Sequence, residues 1–311
     1  MSADVVIGAA SGTPHLRPRK LGATLSARLA YAFAAPSLIL LAVVMLLPIA
    51  AVIAMSFTDY RLGDLGVTFA GVENYTKLAG DRTFWRALTN TLVYVAMVVP
   101  GAVLLGLLLA VIIDGLDHGK AFYRLVFFLP VTATVVAMAL VWKYLLHPNI
   151  GPFNLLLRAL GLPTIDFFSN PDLVLAGLAI INIWSLAGFN MVLFSAGLTS
   201  VPQELHDAAS VDGLDHPLDR FFHVTLPLLG PTTMFVIVTS TITAFKVFDT
   251  VAVLTRGGPR GSSDVLLYTT YLEGFSYFRM GSAAAMTVVF LAVILIFSLI
   301  QARVLDRKVH Y

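Results

Sequence analysis

Cysteine is absent from this chain. Its absence excludes disulfides, thiolate metal sites and cysteine nucleophiles, and leaves the redox compartment open. Charge is also scarce: 12% of the 311 residues are Asp, Glu, Lys or Arg, against 58% hydrophobic, and mean hydropathy is +0.86. So little polar surface cannot cover a soluble domain of this length, and the bilayer is the solvent the composition implies. The formal net charge is only +2 and no basic run with interleaved aromatics occurs, which removes nucleic acid as a partner.

Catalytic motifs are missing as well. The nearest approach to a nucleotide loop is "GLDHGK", Gly115 to Lys120; it is one residue short of a phosphate cradle, and Ala121 stands where a magnesium-binding hydroxyl belongs. The histidines are scattered without H-E-x-x-H spacing, and no G-x-S-x-G occurs, so neither metal nor serine hydrolase chemistry is supported. A non-catalytic membrane protein with no cofactor or metal of its own is the reading that remains.

What the chain has in quantity is apolar runs. Six are long enough to span a bilayer: Arg28 to Phe57, Ala87 to Asp114, Phe122 to Leu146, Asp172 to Leu198, Thr225 to Phe248 and Met280 to Val304. Each is apolar around its whole circumference, so an all-α bundle of six transmembrane helices is expected over residues 28–311. Pro36, Pro48, Pro100 and Pro130 fall inside these runs and should kink them. Residues 1–27 are small, polar and finally basic, with no apolar run before a cleavage site, and read as a flexible tail. An even number of spans puts both termini on one side, and Arg17, Arg19, Lys20 and Arg28 with Arg303, Arg307 and Lys308 put that side in the cytoplasm.

That topology makes the stretch between the fourth and fifth spans, about residues 199–225, a cytoplasmic loop. Glu204, Asp207, Asp212, Asp215 and Asp219 crowd five acids into sixteen residues there, with only Arg220 beside them. Pro202 at a helix start and Gly213 at a helix end frame a short exposed helix, with acids in its first turns. A second short segment carries Leu218, Phe221, Phe222 and Val224 before Pro227 and Pro231. Helices that lie on anionic lipid carry Lys and Arg; this one carries acids, so it suits the groove of a soluble partner better than the membrane surface.

"DAASVDGLDHPLDRFFHVTLPLLGP" resembles the cytoplasmic loop of the membrane subunits of binding-protein-dependent ABC importers. Their pattern is Glu-Ala-Ala, then Gly four residues on, and later an apolar residue, one intervening residue and Leu-Pro. The matching positions are Asp207, Ala208, Ala209, Gly213, Val224, Leu226 and Pro227, with Asp207 where the pattern has the longer Glu. "VENYTKLAGDRTFWRALTNTLVYV" (Val72 to Val95), "FYRLVFFLPVTATVVAMALVWKYLLHPNIGPFN" (Phe122 to Asn154) and "FKVFDTVAVLTRGGPRGSS" (Phe245 to Ser263) extend the resemblance to the compact sugar-type permeases related to the maltose and glycerol-phosphate importers.

The resemblance implies a type I ABC importer transmembrane domain in a bacterial or archaeal inner membrane. It also implies a second homologous permease, two copies of a cytoplasmic ATPase that carry the ATP and magnesium, and an extracytoplasmic binding protein that delivers a carbohydrate or related solute. The loop helix would couple ATP hydrolysis to alternating access, with Asp207, Ala208, Ala209, Asp212, Gly213, Leu226 and Pro227 at the contact. The alternative is a secondary transporter driven by an ion gradient; buried carboxylate or histidine relays and internal repeats, which such proteins use, are not evident here.

Sugar hydroxyls and a faintly apolar ring face call for amides, hydroxyls and an aromatic platform. Asn182, Trp184, Ser185, Phe189 and Asn190 in the fourth span, with Thr239, Thr243 and Phe245 in the fifth, supply that mixture near midplane depth. Lys246 would suit a phosphate-bearing ligand, and it also lies three residues from Asp249, a spacing at which the two could simply pair. Helix-to-helix contact by small and polar residues explains many of the same positions.

Overall fold

A computed structural model describes residues 21–64, 66–214 and 216–306. Among them all repetitive structure is helical, and the one strand-like pairing is an isolated antiparallel bridge between Thr58 and Phe69. The chain divides into two compact units, one ending at Ala51 and one beginning at Val52.

In the first unit α1 (Leu21–Leu41) passes through a widened π turn at Ala42–Leu46 into α2 (Leu47–Met55), which runs on past the boundary. The helix starts ahead of the expected boundary at Arg28, and the rest of the expected tail, residues 1–20, lies outside the described residues. Pro48 has no amide hydrogen to donate to the Val44 carbonyl one turn back, and a proline ring crowds that carbonyl in a regular helix; the π turn Ala42–Leu46 falls at this position. Side chains from Leu38 to Leu47 are exposed, as hydrocarbon contact requires.

The second unit contains α3 (Glu73–Gly80), α4 (Arg82–Asp114), α5 (Lys120–Thr132), α6 (Val135–Leu145), α7 (Pro152–Ala159) and α8 (Val174–Thr199). It continues through α9 (Gln203–Val211), α10 (Pro217–Arg220), α11 (Leu226–Leu228), α12 (Gly230–Phe245), α13 (Leu266–Tyr271) and α14 (Met280–Asp306). Among the described residues four helices are long and apolar enough to cross a membrane unaided: Leu29–Met55, Arg82–Asp114, Val174–Thr199 and Met280–Val304.

The other two expected spans are broken rather than continuous. The third bends by 103° between α5 and α6, and the fifth by 70° between Pro217–Leu228 and Gly230–Phe245, so the count reaches six when each bent pair is one span. Pro130 weakens the last turn of α5 by removing an amide donor, and Ala133 and Thr134 then turn extended with ψ of 148° and 133°. Pro231, in the first turn of α12, cannot donate back across Leu229, where the fifth span bends. Pro100, by contrast, lies inside an unbroken α4.

The most extensive helix pairing is α4 along α8, and α12 packs against both. Their shared core holds Tyr94, Val98, Leu178, Phe194, Val236 and Phe245. Gly106 lets the two long helices touch: a Cβ there would stand 2.6 Å from Asn190 Cβ and 3.1 Å from the Met191 amide nitrogen. Gly106→Val should therefore overpack the crossing and cost about 1–3 kcal/mol. Thermal unfolding of the detergent-solubilised chain reads this as a lower midpoint; an unchanged midpoint would show that the helices separate without penalty.

At the far end of α4 the segment between α12 and α13 folds back and is pinned. Arg86 Nη2 donates to Asp264 Oδ2 at 2.9 Å, and Asn90 Nδ2 to the carbonyls of Gly261 and Asp264 at 3.2 and 2.9 Å. Thr91 Oγ1 accepts from the Leu266 amide at 2.8 Å and donates to the Ala87 carbonyl at 2.7 Å. These contacts order its glycine-rich part, residues 256–265, which follows a π turn at Val251–Thr255 and is itself built of turns rather than helix.

Candidate functional site

The acidic loop builds from its ends inward. Pro202, extended at ψ 135°, precedes α9 and leaves Glu204 in the first turn, where the helix dipole favours an acid. The other end closes as a Schellman cap: the Leu214 amide donates to the Ala209 carbonyl at 2.9 Å and the Gly213 amide to the Ser210 carbonyl at 3.2 Å. Gly213 supplies the φ of +84° that this cap requires.

After the cap, α10 opens with Pro217, and His216 Nδ1 accepts from the Leu218 amide at 3.3 Å. A π turn at Phe221–Thr225 follows, then α11. This π turn contains His223, one turn before Pro227, and repeats the arrangement seen before Pro48. Thr225 and Leu229 are buried and fasten the loop to the bundle.

Asp207, Ala208, Asp212, Gly213 and Pro227 are exposed, and Gln203 Nε2 donates to Asp207 Oδ1 at 3.3 Å. Ala209 is buried and Leu226 half-buried, so these two hold the loop rather than face outward. Asp215 lies outside the described residues. Two residues of this loop, Val211 and Ser210, went unnoticed in the sequence, and Arg220 stands out there only as the lone cation beside the acids. Val211 is 87% exposed at the tip of α9, and Ser210 and Arg220 join α9 to α10 through a 2.9 Å hydrogen bond. An apolar residue between acids on an exposed helix was the available signal for Val211. For the link between Ser210 and Arg220 there was none, since the two lie ten positions apart across the cap and the start of α10. Behind the loop is a cleft of about 430 Å³ lined by Asp114, Gly115, Leu198, His206, Arg220 and Phe221.

The candidate path residues divide into two sets. Thr239, Thr243 and Lys246 recur at helical spacing on α12, with Thr243 and Lys246 exposed and Thr239 half-buried. Their hydroxyls donate back along the helix, Thr239 to the Phe235 carbonyl at 2.8 Å and Thr243 to the Thr239 carbonyl at 2.9 Å, which leaves oxygen lone pairs free to accept. On α8 Phe189 is exposed, while Asn182, Ser185 and Trp184 are half-buried, Trp184 lying edge-on to Trp142 at 5.5 Å. Among the described residues no ion pair joins Lys246 to Asp249, and both are exposed, so the expected pairing does not form.

Asn190 and Phe245 require correction. Asn190 is fully buried, its Nδ2 donating to Ser240 Oγ at 3.0 Å and its Oδ1 facing the same hydroxyl at 3.2 Å. Phe245 is 1% exposed and packs against Phe290 and Phe297 with ring centroids 6.5 and 5.4 Å away. Both side chains face the contact between helices of this same chain, so they fasten α8 and α14 to α12 and line no open surface. No cluster of three His, Asp or Glu suited to a metal occurs among the described residues.

Four of the described helices are long and apolar enough to cross a membrane, and an exposed acidic helix, α9, stands in the chain between α8 and the bent fifth span. Residues 65–311 match the family of binding-protein-dependent transport system inner membrane components, and the chain belongs to that family. It is 35% identical over 286 residues to a probable ABC transporter permease protein, YesP, of Bacillus subtilis (strain 168), covering 90% of this chain and 91% of the relative. It is 30% identical to the sn-glycerol-3-phosphate transport system permease protein UgpA of Agrobacterium fabrum, covering 91% and 96%. To the sulfoquinovosyl glycerol transport system permease protein SmoG of the same organism it is 31% identical, covering 90% and 91%. The fold is that of a chain in a bacterial ABC transporter for the acidic polysaccharide alginate, at TM-score 0.77 and 24% identity over 93% of this chain and 99% of that one. It is equally that of a chain in the alginate transporter bound to its pentasaccharide-loaded periplasmic protein, at TM-score 0.78.

Proposed function

We propose that this chain is a permease subunit of an ATP-driven importer that pairs with a second homologous permease to enclose the path. Two cytoplasmic ATPase subunits, which carry the ATP and magnesium, receive α9, and an extracytoplasmic binding protein brings the solute. The chain itself is non-catalytic. Both termini lie in the cytoplasm, and residues 28–311 act as one transmembrane domain with the coupling loop at about 199–225. The observation that carries the reading is α9 itself: a capped, acidic, exposed helix held between two membrane segments. The secondary-transporter alternative loses to membership in a family defined by binding-protein dependence.

The solute is a carbohydrate or a related polyol ester, a reading supported by the substrates named for UgpA and SmoG. Its path follows the outward face of α12 and α8, with Thr239, Thr243 and Lys246 donating or accepting hydrogen bonds and Phe189 offering an apolar ring. Asn182 and Trp184 border this face. Lys246→Met should lower uptake about tenfold while the assembled complex remains, the effect of one hydrogen bond from a charged group. Asn190→Ala should instead lower the amount of assembled complex, since it strands the Ser240 hydroxyl in the core. Equal loss of assembly in both variants would remove Lys246 from the path.

The direct test is recovery of the tagged chain from its native membrane in mild detergent, with mass spectrometry of its partners. A Walker-motif ATPase and a sister permease should accompany it. Recovery of this chain alone, in a form that transports, would refute the proposal.

A further inference from the structure

Among the described residues the Arg220 guanidinium makes no ion pair. It binds neutral oxygens instead. Nη2 donates to Ser210 Oγ at 2.9 Å, and both Nε and Nη2 reach the Leu214 carbonyl at 3.4 Å. Ser210 Oγ in turn donates to the His206 carbonyl at 3.0 Å, which carries the link into the middle of α9. One planar group thus grips the last turn of α9, the exit of its Schellman cap and, through its own backbone, the end of α10.

Among the described residues α9 is otherwise held by buried Ala209 and by its contact with the π turn Phe221–Thr225. Between α9 and α10 the backbone offers the two cap hydrogen bonds around Gly213, and Pro217 then starts a new helix without an amide to donate. A junction of that kind would bend under load at Gly213. From α10 the helix runs through the π turn and α11 to Leu228, bends by 70° at Leu229 and goes on as α12. Thr225 and Leu229 are buried, and across the bend the Leu229 amide donates to the Thr225 carbonyl at 3.0 Å while its carbonyl accepts from the Thr233 amide at 2.8 Å.

We propose that Arg220 is the positioning residue that makes α9 and the start of the fifth span move as one body, so that a displacement of α9 reaches α12. The inference rests on the reading that α9 docks on an ATPase. A lysine cannot replace it, because an ammonium on a flexible stem is a point donor and does not present the fork that spans Ser210 and Leu214.

The native chain has no cysteine, so a single one introduced at Asp249, exposed just beyond α12, reports on movement of that end. In the purified complex its labelling by a membrane-impermeant maleimide is measured with and without magnesium, ATP and vanadate, and read on this chain. Arg220→Ala should retain its ATPase subunits and hydrolyse ATP, while the nucleotide-dependent change in labelling rate falls about tenfold. Arg220→Lys should recover only part of it, and adding Ser210→Ala to Arg220→Ala should change nothing further, because both act on one link. An undiminished labelling change in Arg220→Ala overturns the inference, and so does loss of the ATPases, which would make Arg220 a docking residue. Should Arg220→Ala fail to accumulate, Ser210→Ala carries the test with a partial loss expected and none contradicting it. A parent complex that retains its ATPases yet shows no nucleotide-dependent labelling would defeat the coupling reading and the inference together.

Discussion

Gly213→Arg should insert into the membrane and yet be recovered without its ATPases. The backbone there holds φ at +84°, and nothing in the chain lies within 4 Å of where a Cβ would stand. Any L side chain therefore meets a conformational cost of about 1–2 kcal/mol, without a clash inside the chain. The arginine adds a long cation on the outer surface, beside Asp212 and the exposed Val211. Association should weaken at least about thirtyfold, equivalent to one central interface contact of about 2 kcal/mol. Gly213→Asn, which tolerates the left-handed conformation, should keep most of the association. Pull-down of the ATPases separates the cases: normal recovery with Gly213→Arg would mean that this end of α9 does not meet a partner.

Arg86→Ala is expected to loosen the pinned segment between α12 and α13, and to do so more at alkaline than at acidic pH. Asp264, whose side chain is 14% exposed, has its carboxyl raised above the ordinary value by burial, while the Arg86 guanidinium at 2.9 Å pulls it back. Removing Arg86 leaves a buried carboxylate without its counter-charge and raises that carboxyl further. A carboxyl raised in the fold holds its proton more tightly there than in the unfolded chain. Its contribution to stability is present at low pH and is lost as pH climbs through the folded value. Because Arg86 is itself half-exposed, the loss at neutral pH should be about 1–3 kcal/mol rather than that of a fully buried pair. Hydrogen exchange of residues 256–265 near pH 8 should accelerate strongly in the variant, and thermal stability near pH 5 should show a smaller deficit than near pH 8. Equal deficits at both pH values would show that Asp264 does not need Arg86 to remain charged.

Local signals in the sequence account well for the acidic loop. Pro202 and Gly213 mark the ends of α9 because each imposes a backbone geometry by itself, and the cap forms between residues five apart or fewer. The long apolar runs likewise locate the membrane helices. Pro130 marks the break in the third span but not its size, because hydropathy stays high through Ala133 and Thr134 while only the dihedrals change; the break in the fifth span escapes notice. Arg86 and Asp264 are 178 residues apart, and no local pattern joins them. Asn190 and Phe245 look like path residues because both spans are apolar all round, so that composition does not mark the inward face. The phase of the hydroxyls was the better guide: Thr239 and Thr243 lie on the outward side, while Ser240 and Ala244, each one position later, are buried.

Reconstitution of the purified complex into liposomes, with ATP inside and no ion gradient, tests the account most directly. Uptake of solute should require both internal ATP and the binding protein, and should vanish with Gly213→Arg. Uptake by this chain alone, driven by a proton or sodium gradient without ATP, would contradict it.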